Sequence, residues 1–202
     1  MSVYLTNNFE EIRNFNNKLD KLFIIKRKRP ESSNIFFKKL IKTSFTVIGE
    51  ITKENALENI RSILECEISQ ELLNDPFYED WINDMALISI EFCDLQKRDT
   101  INIWIGTNRG CRRYHIDNVP QRLLVTYAGK GTEWLPEEAA DRNAYEKGEP
   151  NEKIIKNISA KQFIKEWDIA IFRGGPGGLL HRTPDKALEG QSILMRLDNM
   201  FS

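Results

Sequence analysis

Residues 111–128 read Cys111-Arg112-Arg113-Tyr114-His115-Ile116-Asp117-Asn118-Val119-Pro120-Gln121-Arg122-Leu123-Leu124-Val125-Thr126-Tyr127-Ala128. Two short runs rich in β-branched and aromatic side chains, Arg113–Asp117 and Arg122–Tyr127, flank a turn carrying Asn118 and Pro120, which is the pattern of short strands. The same pattern continues on both sides: Thr100–Trp104 before it, then Trp134 with its flanks, Ile154–Ile158, Asp168–Arg173, Leu179–Thr183 and Gln191–Leu197 after it. About eight short strands within about a hundred residues suit a jelly roll. An acidic, polar stretch from Pro136 to Lys153 interrupts them as a surface excursion.

Upstream of Arg98 the period lengthens to that of a helix. From Phe9, the residues Ile12, Phe15, Leu19, Leu22 and Phe23 recur at helical steps behind a possible N-cap at Asn7 or Asn8, up to Arg29-Pro30. Ser32 or Ser33 caps a second segment with Ile35, Phe36, Leu40 and Ile41, and a third runs from about Lys53 to Ile68. Asp75-Pro76, an N-cap followed by proline at the first helical position, starts a fourth through Trp81, Met85, Ile88, Phe92 and Leu95. The expectation is an α+β chain: a helical N-terminal part over 1–98, packed on a β-core over 99–202, in one compact unit.

With 202 residues, 41% hydrophobic, 29% charged and a net charge of −1, the chain has the composition of a globular protein rather than of a disordered, collagenous or coiled-coil one. It has no apolar stretch of about 20 residues to span a membrane, and Met1–Glu11 lacks a signal pattern. A cytoplasmic location is expected. Cys66, Cys93 and Cys111 are too few and too scattered for a disulfide framework. Balanced charge argues against nucleic acid as a partner, and Lys26-Arg27-Lys28-Arg29 reads as a solvated run. A small molecule is the expected partner, and the protein is expected to be a monomer or dimer.

His115 and His181 are the only histidines. On a strand, His115 and Asp117 leave the same face, so an imidazole and a carboxylate converge. His181 lies in a second strand-like run, after Gly174-Gly175-Pro176-Gly177-Gly178. Two imidazoles and one carboxylate form the facial triad that holds non-haem Fe(II) and leaves coordination positions open. The same three with water would also suit Zn. The glycine run lacks the Lys-Ser/Thr ending of a phosphate loop and leads into a strand, so it reads as a turn that lets backbone approach the metal site. Cys111 is either a thiolate ligand, a redox-sensitive thiol or a buried strand cysteine.

The order of His115-x-Asp117, several strands, Asp168-Ile-Ala-Ile-Phe172, His181 and then Arg196 resembles that of the 2-oxoglutarate/Fe(II)-dependent oxygenases on the double-stranded β-helix, a cupin-like jelly roll, over about Thr100–Leu197. The resemblance implies Fe(II) and 2-oxoglutarate as cofactors, with Arg196 pairing the distal carboxylate and Thr126 or Tyr127 offering it a hydroxyl. Arg113, Arg122, Arg173 and Arg182 crowd the same region. Two of them at the mouth would make the substrate anionic; otherwise they are exposed strand arginines paired with acids. Glu133 and Trp134 are either a substrate-facing edge or a capped turn with a core Trp.

A more specific resemblance is to the bacterial domain-of-unknown-function family 1826. It rests on Cys111–Pro120, Arg122-Leu123-Leu124, Thr126-Tyr127, Gly131-Thr132-Glu133-Trp134-Leu135 and His181-Arg182-x-Pro184, and extends back over the Trp81 helix. It names no activity. Its members' association with bacterial zinc-homeostasis genes implies an alternative to hydroxylation: a cupin-like zinc-binding protein without oxygenase turnover, linked to metal homeostasis.

Overall fold

Asp75 and Pro76 start the longest helix, as their order predicts: the Asp75 carboxylate accepts from Phe77 N at 3.0 Å, and Lys97 closes the helix in the left-handed region at φ 53°. In the computed structural model, which describes residues 3–189 and 192–199, four helices occupy the first half: α1 (Ser33–Leu40), α2 (Ala56–Glu65), α3 (Gln70–Leu73) and α4 (Pro76–Gln96). On α4, Trp81, Met85, Ile88, Phe92 and Leu95 are all buried, one face at steps of three and four. Each such side chain contributes about 1.5–3 kcal/mol by leaving water.

The strands are β1 (Val3–Thr6), β2 (Leu22–Ile25), β3 (Thr46–Thr52), β4 (Thr100–Gly106), β5 (Gln121–Ala128), β6 (Glu133–Trp134), β7 (Gln162–Phe163), β8 (Ile169–Arg173), β9 (His181–Arg182) and β10 (Ile193–Asp198). Seven form a large sheet in the order β1-β2-β8-β5-β10-β4-β3, and three form a small sheet in the order β7-β6-β9. Alternation sorts the side chains by layer. Leu123, Val125, Ile169, Ile171, Met195 and Leu197 face the helices, whereas Leu124, Ala170, Phe172 and Leu194 face the small sheet. The space between the sheets holds the site. Among the described residues no helix is long and apolar enough to cross a membrane.

The first half is less helical than its periodicity suggests. The segment from Phe9 is a 3-10 helix ending at Asn17, and Leu22 and Phe23, expected on its face, lie in β2. With β1 and β3, this places three N-terminal strands at the two edges of the large sheet. A four-residue apolar run such as Leu22–Ile25 carries no period, so neighbours rather than pattern decide its state. Ile154–Ile158, expected as a strand, instead ends a helical turn (Asn151–Ile154), and Ile155 bridges Ala140. Arg113–Asp117 contributes one bridge, at His115. Gln191, the expected start of the last strand, lies outside the described residues. In the basic run, Arg27 pairs with Asp84 at 2.5 Å and Arg29 with Glu166 at 2.7 Å.

Candidate metal centre

Reciprocal backbone bonds, His115 N to His181 O at 3.0 Å and His181 N to His115 O at 3.1 Å, zip the two histidines together. Their rings lie 4.5 Å apart between centroids. Asp117 reaches the same point, and one ligand atom from each of the three lies within 4.8 Å of the others. The Asp117 loop is held from behind: Gly174 N donates to Pro120 O at 3.0 Å and Gly175 N to Asp117 O at 2.8 Å. A Cβ on Gly174 would stand 1.9 Å from Val119 O and 2.4 Å from Asp117 O, so only glycine lets the turn come this close. Gly174→Ala is therefore expected to destabilise the fold by about 1–3 kcal/mol and to weaken metal binding, read by thermal melting and metal titration. A variant that melts and binds like wild type would show that the turn does not hold the loop.

The donor set fits a divalent cation. His115 Nδ1 lies 3.0 Å from Arg113 O, and His181 Nδ1 lies 3.0 Å from Leu179 O. Each carbonyl accepts a hydrogen bond from Nδ1–H, which leaves the Nε2 lone pair facing Asp117, the tautomer that ligates metal. Burial, helped by the neighbouring His181, lowers the His115 pKa, favouring the neutral ligand form. Asp117 is 2% exposed. Burial raises its pKa, but His181, Arg122 and His115 together hold it below the ordinary carboxylate value. Arg122 pairs with Asp117 Oδ1 and reaches Asp198 at 3.0 Å. Asp117 Oδ2 is buried without a hydrogen-bond partner, 3.2 Å from His181 Nε2. A lone pair and a carboxylate oxygen this close call for a cation between them. Phe172, 4.4 Å from the His181 ring, covers it from the large sheet.

Beside the triad opens a cavity of about 90 Å³, whose walls include Trp104, Arg109, Leu124, Leu194 and Arg196. Arg196 lies there, with its Nε 3.3 Å from Asp198 and its guanidinium over Trp104. Arg122 and Arg182 also line the cavity. Arg182 spends its charge on Glu133, at 3.0 and 3.2 Å, and on Asp185. Glu133 also accepts from the Tyr114 hydroxyl, so it belongs to a buried network. Trp134 packs between the sheets near Phe172 as a core residue. Arg113 is exposed and points to Tyr145 O at 3.5 Å.

Tyr127 stands apart from the site. It is on the helix side of β5, its ring 5.0 Å from Trp167 and its hydroxyl donating to Asp84 at 2.8 Å. Parity places Thr126 on the same face as Leu124, but Thr126 does not line the cavity. Cys111, at the cavity mouth, is exposed with φ 59° and lies outside the ligand cluster. Arg109 escapes a sequence reading because Thr107-Asn108-Arg109-Gly110 looks like an exposed turn.

A family model described as "Protein of unknown function (DUF1826)" matches residues 7–198. No curated protein matches the chain in sequence. Among solved structures, the chain resembles a dioxygenase for auxin oxidation from rice, with a TM-score of 0.50 and 8% identity over 98% of this chain and 82% of that one. It is also similar to TqaL, an Fe(II)/α-ketoglutarate-dependent dioxygenase, at TM-score 0.46 and 8% identity over 94% and 86% of the two chains. A third is iron-bound HygX from Streptomyces hygroscopicus, at TM-score 0.42 and 12% identity over 96% and 87%. At such identities the rice likeness is one of fold: a mixed α/β chain whose large sheet resembles that of a dioxygenase.

Proposed function

Because the chain belongs to the DUF1826 family, described only as proteins of unknown function, we propose its function from the site: a non-haem Fe(II)- and 2-oxoglutarate-dependent oxygenase that hydroxylates a small molecule. His115, Asp117 and His181 would hold the iron, and Arg196 carries, by resemblance, the pairing with the co-substrate. The observation behind this reading is the buried, unpartnered Asp117 Oδ2, 3.2 Å from His181 Nε2, in a cluster of ligand atoms that His115 completes. The strand order supports it. β4, β10, β5 and β8 lie side by side in one sheet, and β7, β6, β9 and the His115 segment in the other, the four-on-four arrangement of a double-stranded β-helix.

When bound, the metal would supply dioxygen activation and oxidative decarboxylation of a 2-oxo acid. The chain's own residues do the rest. The carbonyls of Arg113 and Leu179 fix the ring tautomers; Arg122 occupies Asp117 Oδ1 and leaves Oδ2 to the ion; Trp104, Leu124 and Leu194 give the cavity an apolar wall that limits water. Anaerobic titration with Fe(II) and then 2-oxoglutarate should raise the visible charge-transfer band of the chelate, and His181→Ala should abolish it. No band, alongside tight stoichiometric zinc, would overturn the oxygenase in favour of a zinc-binding protein.

A further inference from the structure

Four charged side chains of alternating sign run from the triad to the cavity wall. Register brings three of them together: Arg122 on β5 is the cross-strand partner of Asp198 on β10, and Arg196 lies two residues before Asp198 on the same face. Arg122 reaches back to Asp117 Oδ1 with Nη1, while its Nε and Nη2 meet Asp198 Oδ2 at 3.2 and 3.0 Å. Arg196 Nε lies 3.3 Å from that same oxygen. The order is therefore Asp117, Arg122, Asp198, Arg196, and each inner group is shared by the two beside it.

Both ends of this chain are unsatisfied. Asp117 Oδ2 is buried without a hydrogen-bond partner, and so is Arg196 Nε, whose approach to Asp198 is an ion pair without hydrogen-bond geometry. Burial and the like charge of Arg122 lower the Arg196 pKa, so its cation is incompletely compensated. In the middle, three N–H groups converge on one oxygen with two lone pairs, so the two guanidinium groups compete for Asp198 Oδ2. Asp198 is 8% exposed, and water does little to relieve that competition. A divalent cation on Asp117 withdraws charge from the carboxylate that also holds Arg122. Arg122 then pairs more strongly with Asp198, and Asp198 holds Arg196 less.

We propose that Asp198 is a positioning residue that couples the two ends of the site: a cation at the triad draws Arg122 onto Asp198 and so releases Arg196 for an anionic ligand. The proposal rests on the metal reading of the triad, and it orders binding, metal first and co-substrate second. Coupling of this kind is reciprocal, so whatever detaches Arg196 from Asp198 must tighten the metal. Removing the Arg196 guanidinium imitates its capture by a ligand. Nickel is therefore titrated by calorimetry, with no co-substrate present, into wild type, Arg196→Gln, Asp198→Asn and the double variant, a cycle that isolates the interaction between the two positions. Melting curves establish folding, and Asp198→Ser stands in if the amide variant does not fold.

The expected result is that Arg196→Gln binds nickel about 5-fold or more tighter than wild type, and that this gain disappears in the Asp198→Asn background. A purely structural role for Asp198 predicts no such dependence. Equal gains in both backgrounds mean that Arg196 repels the cation through space, and they overturn the coupling while the metal centre stands. An Arg196→Gln variant that binds nickel like wild type does the same. Failure of wild type to bind nickel overturns the triad and the coupling together.

Discussion

Replacing His181 with alanine is expected to lower the affinity for Fe(II) or Ni(II) by at least about 100-fold, beyond the cost of losing an outer-sphere partner. His181 supplies one of only two imidazoles, and its Nε2 is 3.2 Å from the carboxylate oxygen that lacks a hydrogen bond. Without the ring, Asp117 and His115 leave a two-ligand site. Equilibrium dialysis with metal analysis reads the effect, and Asp117→Asn should show a similar loss because an amide oxygen brings no charge. Stoichiometric metal retained by His181→Ala would remove the triad from consideration.

Glu133→Gln is expected to act on stability rather than on the metal. Glu133 and Arg182 are 2% and 6% exposed, joined by two hydrogen bonds, with the Tyr114 hydroxyl donating to the same carboxylate. Removing the Glu133 charge leaves the buried Arg182 with only the exposed Asp185 as counter-ion, at a cost of about 3 kcal/mol, which for a chain this long lowers Tm by roughly 10 °C. The effect has a pH signature. Burial raises the Glu133 pKa, but Arg182, Tyr114 and Lys161 more than offset it and hold the carboxyl below its ordinary 4.5. A carboxyl whose folded pKa is depressed stabilises the fold above its unfolded pKa, and that stability is lost as pH falls through the folded value. The gap in melting temperature between wild type and Glu133→Gln should therefore be full at pH 7 and close as the pH drops below about 4.5. An unchanged Tm combined with lost substrate binding would instead make Glu133 a substrate contact.

The parts that sequence made legible are those where a local rule and the tertiary structure agree. Asp75-Pro76 announced α4 because cap and proline act within one turn. His115, Asp117 and His181 could be singled out because the chain has no other histidine to confuse the choice. What stayed hidden depends on partners distant in sequence. Leu22–Ile25 is a strand because β8 lies beside it. Tyr127 shows the cost of unknown parity: one residue from Thr126, it lies on the other side of the sheet, against Trp167. That Glu133 and Arg182 neutralise each other is likewise invisible in their spacing.

The position of β10 also sets the order of events at the ribosome. It is the last strand described, yet it is inserted between β5 and β4 rather than added at an edge. A nascent chain released only as far as β9 has two unfinished ribbons, β3 with β4 and β1-β2-β8-β5, each with an open hydrogen-bonding edge waiting for the same strand. Closure is a late, long-range event, the kind that slows folding and exposes edges to neighbouring chains. Synthesis of this protein therefore passes through an interval in which chaperone capture and edge-to-edge aggregation compete with the arrival of six residues.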